Sequence, residues 1–297
     1  MKYLLMVGSI LLSVVNACLL KGYTKGRKEN YSNFLFNGGV SATWIGIMLV
    51  LFLLSHNTVS ALALLFGGIY GVILFAFLYF KTSTMQTGPI ALGTLIGSCA
   101  FLITTVYGVF CCHESIGVAQ IFGIVLLLVS LVLCVNPKKS KERLTGKWML
   151  FSLGFFLAGG AVGILYKVFG GSTAKKDVEV MLLTAAVVSL ILFVGVGVIT
   201  AHKKGEAIRP DKRTVLFMVL SGIASCAYIR LNISLSAVIP SVVFFPVSNG
   251  GMVILSALCG KWIFKEKLNG KQVLGVVLGC VAVVVIGCGQ QLLARLW

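Results

Sequence analysis

The chain has 297 residues, of which 58% are hydrophobic and only 11% are charged, and its mean hydropathy is +1.02. Soluble domains carry roughly 25% charged residues, so this composition excludes a soluble protein and indicates lipid as the main solvent. The net charge of +17 would favour nucleic acid as a partner in a soluble protein. Here most Lys and Arg residues lie in short loops, where they set topology and meet anionic lipid headgroups, so nucleic-acid binding is not expected.

Ten apolar runs follow one another along the chain, and each approaches the roughly 20 residues that a helix needs to cross a bilayer. Backbone inside lipid must satisfy its own hydrogen bonds, and these runs lack the alternating polarity of barrel strands. The sequence therefore predicts an all-α integral membrane protein with ten transmembrane helices, the first of them a span and not a cleaved signal. The runs cover residues 3–20, 31–54, 59–80, 88–111, 116–135, 147–169, 178–201, 214–234, 239–263 and 271–291.

The distribution of basic residues predicts the orientation of these helices. Most Lys and Arg residues fall in the loops that join helices 1–2, 3–4, 5–6, 7–8 and 9–10. The positive-inside rule places these odd loops in the cytoplasm and both termini outside. The predicted location is the cell inner (plasma) membrane.

An internal repeat organises the chain. A shift of 152 residues places Gly108–Val135 on Gly260–Gly287, where eight of 28 positions are identical. They include Gly108/Gly260, Glu114/Glu266, Gln120/Gln272 and Gly123/Gly275. The predicted units are a first repeat at residues 1–135, a cytoplasmic linker at 136–146 and a second repeat at 147–297. Because each unit has five helices, an odd number, the second must enter the membrane inverted. Inverted repeats of this kind build alternating-access transporters.

These motifs resemble those of the drug/metabolite transporter superfamily, in its ten-helix EamA-type branch. The resemblance covers essentially the whole chain and includes Lys21 and Lys167 at the ends of helices one and six, and the segment 240–251. It implies a secondary transporter with a central cavity lined by helices one to four and six to nine, with helices five and ten as outer support. The chain departs from the family in loop 2–3, which holds no basic residue, whereas a basic loop 2–3 and cytoplasmic termini are common there.

The strongest candidate binding segment lies in the middle of predicted helix nine. Asn249 is about ten residues into this helix, near mid-membrane depth, and intramembrane polar residues are expensive. Pro246 lacks an N–H group, and Gly250 permits close approach of backbone or solute. We expect a locally opened helix that presents polar groups to a solute. The alternative is that Pro246 only kinks the helix and Asn249 joins two helices.

Cations near helix ends form a second candidate group. Arg230, with its neighbours Tyr228 and Asn232, lies near the outer end of predicted helix eight, and Lys167 ends helix six on the same side. Each cation is a candidate partner for an anionic group of the substrate. The alternatives are a side chain that extends to the interface and a charge that complements the helix dipole. Glu114, in its hinge, is assigned to the N-terminal dipole of the helix that follows.

Asn16, Trp44 and Tyr70 complete the substrate-binding candidates, and Asn37, Gln86 and Tyr107 are weaker ones. The alternative for the aromatic members is anchoring at the lipid interface. No acidic residue is expected deep in a span, which disfavours organic cations because a proton-coupled cation exporter needs a buried carboxylate.

The predicted function is a secondary transporter that moves a small anionic, zwitterionic or neutral polar metabolite by alternating access. The alternatives are an exporter of drugs or organic cations, and a membrane partner protein that transports nothing. An enzyme is not expected, and neither catalytic residues, a cofactor nor a metal site is predicted, because the three His residues lie in separate loops and no CxxC pair occurs. The expected partners are a small solute and membrane lipid, with homodimerisation left open.

Overall fold

The computed structural model of the chain describes residues 2–25, 32–55, 59–88, 90–134, 145–205, 208–263 and 269–296. Within these ranges the protein is helical and contains no strand. The helices are α1 (Lys2–Lys25), α2 (Asn33–Ser55), α3 (Ala61–Thr87), α4 (Ile90–Ser98), α5 (Phe101–Cys111), α6 (Val118–Cys134), α7 (Gly146–Gly171), a 3-10 turn (Thr173–Asp177), α8 (Val178–Lys204), α9 (Lys212–Ser236), α10 (Ser241–Trp262) and α11 (Gly270–Leu296).

Nine helical segments of the described residues are long and apolar enough to cross a membrane. One of them, Leu92–Cys111, combines α4 and α5 across a turn at residues 99–100. The fifth predicted run is α6, which is apolar but has only 17 residues. Large apolar side chains cover the outside of the bundle, as at Leu4 (75% exposed) and Phe110 (74% exposed). The chain is therefore an all-α, multi-pass membrane protein.

The helices agree with the predicted runs to within a few residues at most ends. The largest difference is at the third run, which was predicted to end at residue 80, whereas α3 continues to Thr87. Most of the predicted linker at 136–146 and the second hinge, with Glu266, lie outside the described residues.

Two equivalent glutamines of the repeat cap equivalent helices. The Gln120 Oε1 atom accepts from the Gly117 N–H at 2.8 Å, just before α6. The Gln272 Oε1 atom accepts from the Asn269 N–H at 3.1 Å, and the Gln272 N–H donates to Asn269 Oδ1 at 2.8 Å. This second pair is a capping box, which satisfies backbone donors that the first helical turn leaves free. The matched Gln residues are therefore explained by helix initiation.

Helices α6 and α11 pack closely because small residues face each other. A Cβ atom on Gly123 of α6 would lie 2.6 Å from Ile286 of α11, and one on Gly275 of α11 would lie 2.9 Å from the backbone nitrogen of Cys134 of α6. The Ser130 hydroxyl donates to the Gly275 carbonyl oxygen at 2.6 Å. In membranes, lipid tails are as apolar as the helices, so no hydrophobic effect drives the helices together. Close packing of small residues and hydrogen bonds between helices drive their association instead.

Gly275→Ala should destabilise the protein, because the new methyl group would meet backbone of α6 that cannot move aside easily. Overpacking of this kind costs about 1–3 kcal/mol, against a gain of about 1 kcal/mol in helix propensity. The measurement is the thermal unfolding midpoint of the purified protein in detergent. The matched control is Gly287→Ala on the same helix, where the added Cβ meets no atom within 4 Å. The control should be as stable as the parent or more so, and equal midpoints for the two variants would contradict the packing account.

Candidate functional site

A cavity of about 450 Å³ lies inside the helix bundle. Its lining comes from α1 to α5 and from α7 to α10, and among the described side chains none of α6 or α11 contributes. Both halves of the chain therefore form its wall. The volume falls in the range of about 300–1,000 Å³ that small-molecule sites occupy. The wall is mainly apolar, with Ser, Thr, Asn and Tyr side chains spaced along it.

Six of the ten sequence-predicted binding residues line this cavity: Asn16, Trp44, Tyr70, Tyr228, Asn232 and Asn249. The weaker candidate Asn37 also lines it, whereas Gln86 and Tyr107 do not. The remaining four, Pro246, Gly250, Arg230 and Lys167, lie outside the lining.

Hydrogen bonds between side chains cross from one half of the chain to the other along this wall. The Trp44 Nε1–H group donates to Ser225 Oγ at 2.8 Å, and the hydroxyls of Tyr70 and Tyr166 are 2.8 Å apart. Further pairs are Ser9 with Asn232 at 2.5 Å and Ser41 with Ser189 at 3.0 Å. Trp44 and Tyr70 therefore use their polar atoms on protein partners and offer mainly aromatic surface to a solute.

The expected opening of the helix around Pro246 is wrong for this conformation. Helix α10 is continuous from Ser241 to Trp262, with Pro246 buried inside it. A Cβ on Gly250 would lie 2.6 Å from Leu127 of α6, so this glycine permits helix packing. The Asn249 amide does line the cavity, but its Nδ2 group donates to the Phe245 carbonyl of its own helix at 2.9 Å. The Asn249 Oδ1 atom makes no such hydrogen bond within the helix.

Successive spans cross the bundle in opposite directions, so the loops lie at two ends. The end with the odd loops is called the odd face, and the end with the remaining loops and the N-terminus is called the even face. The even face holds the hinge between α5 and α6, the end of α7 and the starts of α8 and α10. The odd face holds the ends of α1, α3 and α8. Two ion pairs lie at the even face.

Lys167 pairs with Glu114 across the two halves of the chain. The Lys167 Nζ atom lies 2.6 Å from Glu114 Oε1, and both side chains are mostly buried, at 16% and 12% exposed. Glu114 also accepts from Ser241 Oγ at 3.2 Å and from the Val242 N–H at 3.3 Å. The sequence predicts that Glu114 lies at the N-terminus of the helix that follows it, α6. In the structure its carboxylate instead accepts at the N-terminus of α10. Lys167 has its partner in the protein, which accounts for its absence from the cavity wall.

Arg230 has a similar fate within the second half. Its Nε atom donates to Glu179 Oε1 at 3.2 Å, and its terminal nitrogen also contacts this oxygen. Glu179 is in the first turn of α8 and is 3% exposed. In this structure Arg230 therefore pairs with a protein carboxylate. Its binding of a substrate anion stays a prediction.

Lys81 lines the cavity and was missed by the sequence reasoning, which placed it in a loop. Helix α3 continues past it, and the first strong breaker in the sequence is Gly88-Pro89. Tyr70, Leu74 and Phe77 also line the cavity, at spacings of four, three and four residues leading to Lys81. This spacing places all four on one helix face. The missing breaker and the spacing together were the available signal.

The cavity has an unusual charge content. Among the described residues, Lys81 is the only charged one in its lining, and the lining includes no Asp, Glu, His or Cys. In the described part of the chain, no group of three or more His, Cys, Asp or Glu side chains is placed to hold a metal ion. The electrostatic character of this wall is therefore set by a single cation.

Comparison with known proteins gives the fold and nothing finer. No protein-family model matches the chain, and no curated protein matches it. A solved structure described only as "Crystal structure of protein" matches with a TM-score of 0.70 over 99% of this chain and 98% of the other, at 18% sequence identity. At that identity the match shows a shared fold over the full length.

Proposed function

We propose that the protein is a secondary transporter that moves a small polar metabolite across the membrane by alternating access. The observation that carries the proposal is the cavity of about 450 Å³ between the two halves of the chain, with Asn and Ser side chains on an aromatic wall. Helices α6 and α11 stand outside this wall, as the resemblance to EamA-type transporters implies.

The contacts of the repeats support an inverted arrangement of ten spans. Under the shift of 152 residues Gly123 corresponds to Gly275, and Cys134 corresponds to Ile286. Gly123 packs on Ile286 while Gly275 packs on Cys134, so one contact is the symmetry copy of the other. The helix pairs repeat in the same way, since α1 packs on α9 and α7 on α3, while α2 packs on its counterpart α8. A two-fold axis in the membrane plane would generate this reciprocity.

The two ends of the bundle differ, as an alternating-access protein requires of any one state. At the even face, Glu114 joins the first half to Lys167 and α10 of the second, over tightly packed Val242 and Phe244 at 0% and 1% exposed. The half-buried Asn37 and Lys81 lie in the cavity wall toward the odd face. If the odd loops lie in the cytoplasm, as the charge distribution predicts, a cavity open toward the odd face would face inward and the termini would lie outside.

The cavity content argues against the alternatives. An exporter of organic cations would need an acid in the site, and the described lining has none. A membrane partner without transport would be favoured by a sealed apolar interface at Asn249, whereas Asn249 borders the cavity.

Purified protein in proteoliposomes should give saturable flux of lactate, alanine or glucose, which represent anionic, zwitterionic and neutral solutes. Tetraphenylphosphonium, an organic cation, should not be carried. Asn249→Leu should lower the flux about tenfold, the scale of one lost hydrogen bond to a solute. The control Ser98→Ala, which removes a similar bond to its own helix outside the lining, should leave flux unchanged. The same assay extends to a larger panel of metabolites. The absence of saturable flux for every solute, in either direction, would refute the proposal.

Breaking the Lys167–Glu114 pair should open the even face more often. Lys167→Met removes a charge-assisted bond worth about 1.5–3 kcal/mol, so roughly tenfold or greater exposure of the cavity from that side is expected. The measurement is the labelling rate of Asn232→Cys by a membrane-impermeant maleimide, in a background without native cysteines. Arg230→Gln is the matched control, because its pair joins two helices of the same half. Equal labelling of both variants would contradict a gate at Glu114.

A further inference from the structure

Lys81 is a cation in a membrane-spanning helix that has no partner among the described residues. It lies six residues before the end of α3, about 9 Å from that helix end at 1.5 Å per residue, and it is half-buried in the cavity wall. No described residue forms an ion pair or hydrogen bond with it. Lys167 and Arg230, the two cations that the sequence predicts as substrate partners, both have carboxylate partners. Lys81 thus differs from them in having its charge directed to the cavity.

An unpaired ammonium in a low-dielectric site is strongly unfavourable, and intramembrane cations normally face a pathway or pair with an opposite charge. The partner that Lys81 lacks in the protein is an anion. The described cavity lining supplies no acid that would compensate an added cation on the solute. A solute with one net negative charge therefore complements the wall better than a zwitterion or a cation.

Three buried polar atoms of the same wall also lack a hydrogen-bond partner: Asn16 Oδ1, Ser221 Oγ and Ser248 Oγ. Buried polar atoms are nearly always paired, so orphaned ones in a cavity wall point to a ligand or to water. Asn16 and Ser221 are each nine residues from the odd-face ends of their helices, about 13 Å, which is within roughly one turn of the depth of Lys81. Their oxygens would accept a hydroxyl or N–H proton of the same solute.

Part of the cavity wall is aromatic. Phe77 lies one turn before Lys81 on the same face of α3, and Phe101 of α5 and Phe245 of α10 also line the cavity. Such surface suits an apolar or planar body, not a heavily hydroxylated one.

We propose that the cavity binds a small organic anion through Lys81, with a single carboxylate or phosphate on the ammonium and a hydroxyl or N–H group toward Asn16 and Ser221. The body of the solute lies on the aromatic wall. This substrate class rests on the proposed function, in which the cavity is the transport site.

The test measures binding separately from transport, by ligand-induced shifts of the thermal unfolding midpoint of the purified full-length protein. Mandelate carries a carboxylate, a hydroxyl and an aromatic ring, and mandelamide is its neutral counterpart. Wild-type protein should bind mandelate at least tenfold more tightly than mandelamide. Phenyl phosphate distinguishes the two sources of negative charge, since preference for it over mandelate assigns a phosphate and the reverse assigns a carboxylate.

Lys81→Met should weaken mandelate binding at least tenfold, while Lys81→Arg keeps it within a few-fold. The control Lys271→Met removes an exposed lysine outside the cavity and should change nothing. Comparable binding of mandelate and mandelamide by the wild type overturns the proposal even if Lys81→Met fails to fold. Binding of no anion in the set overturns it as well. Lys81-dependent binding without flux of any solute in proteoliposomes would instead count against the transporter function.

Discussion

The ion pair between Glu114 and Lys167 is the contact on which the shape of the cavity depends. A carboxylate at this depth needs compensation, and Glu114 obtains it from Lys167, the Ser241 hydroxyl and the Val242 N–H. All three belong to the second half of the chain, while Glu114 belongs to the first. The carboxylate also requires space, which Gly108 provides, because a Cβ there would lie 2.7 Å from Glu114 Oε2 and 2.5 Å from Ser241. One glycine and one acid thus join the two halves of the chain at the even face.

Hydropathy alone was sufficient to predict most of the helices. In lipid, the backbone N–H and C=O groups of each span must form hydrogen bonds with one another, and a helix achieves this. The ends were less accurate where a polar segment remained helical. The run from Lys81 to Thr87 is polar but contains no Gly or Pro, and in α3 two of its hydroxyls bond back to their own helix, from Thr82 to the Leu78 carbonyl and from Thr87 to that of Ser83. The sequence predicts the end of this helix where the polar residues begin, at Lys81. The helix in fact ends at the next helix breaker, Gly88-Pro89.

The site was harder to predict than the fold, because side-chain partners depend on tertiary contacts that no local pattern contains. Lys81, Lys167 and Arg230 look alike in the sequence, as cations near the ends of apolar runs. Two of them meet Glu114 and Glu179, which lie far away along the chain. Asn16, Asn232 and Asn249, which the sequence predicts as substrate-binding residues, line the cavity. A polar side chain inside a span is costly unless it faces the bundle interior or a cavity. Pro246 and Gly250 were misread because packing and opening of a helix use the same residue types.

The acid-free wall has an energetic consequence for the proposed carrier. Neither a carboxylate nor an imidazole lines the described cavity, and Lys81 is the one charged side chain of the described lining. Such a carrier would respond to the solute gradient and to the membrane voltage acting on the solute's own charge. For a monoanion, 100 mV negative inside is worth about 2.3 kcal/mol, which corresponds to roughly a 50-fold higher concentration outside at equilibrium. For a monoanion bound at Lys81, the resting membrane potential alone would thus favour outward movement.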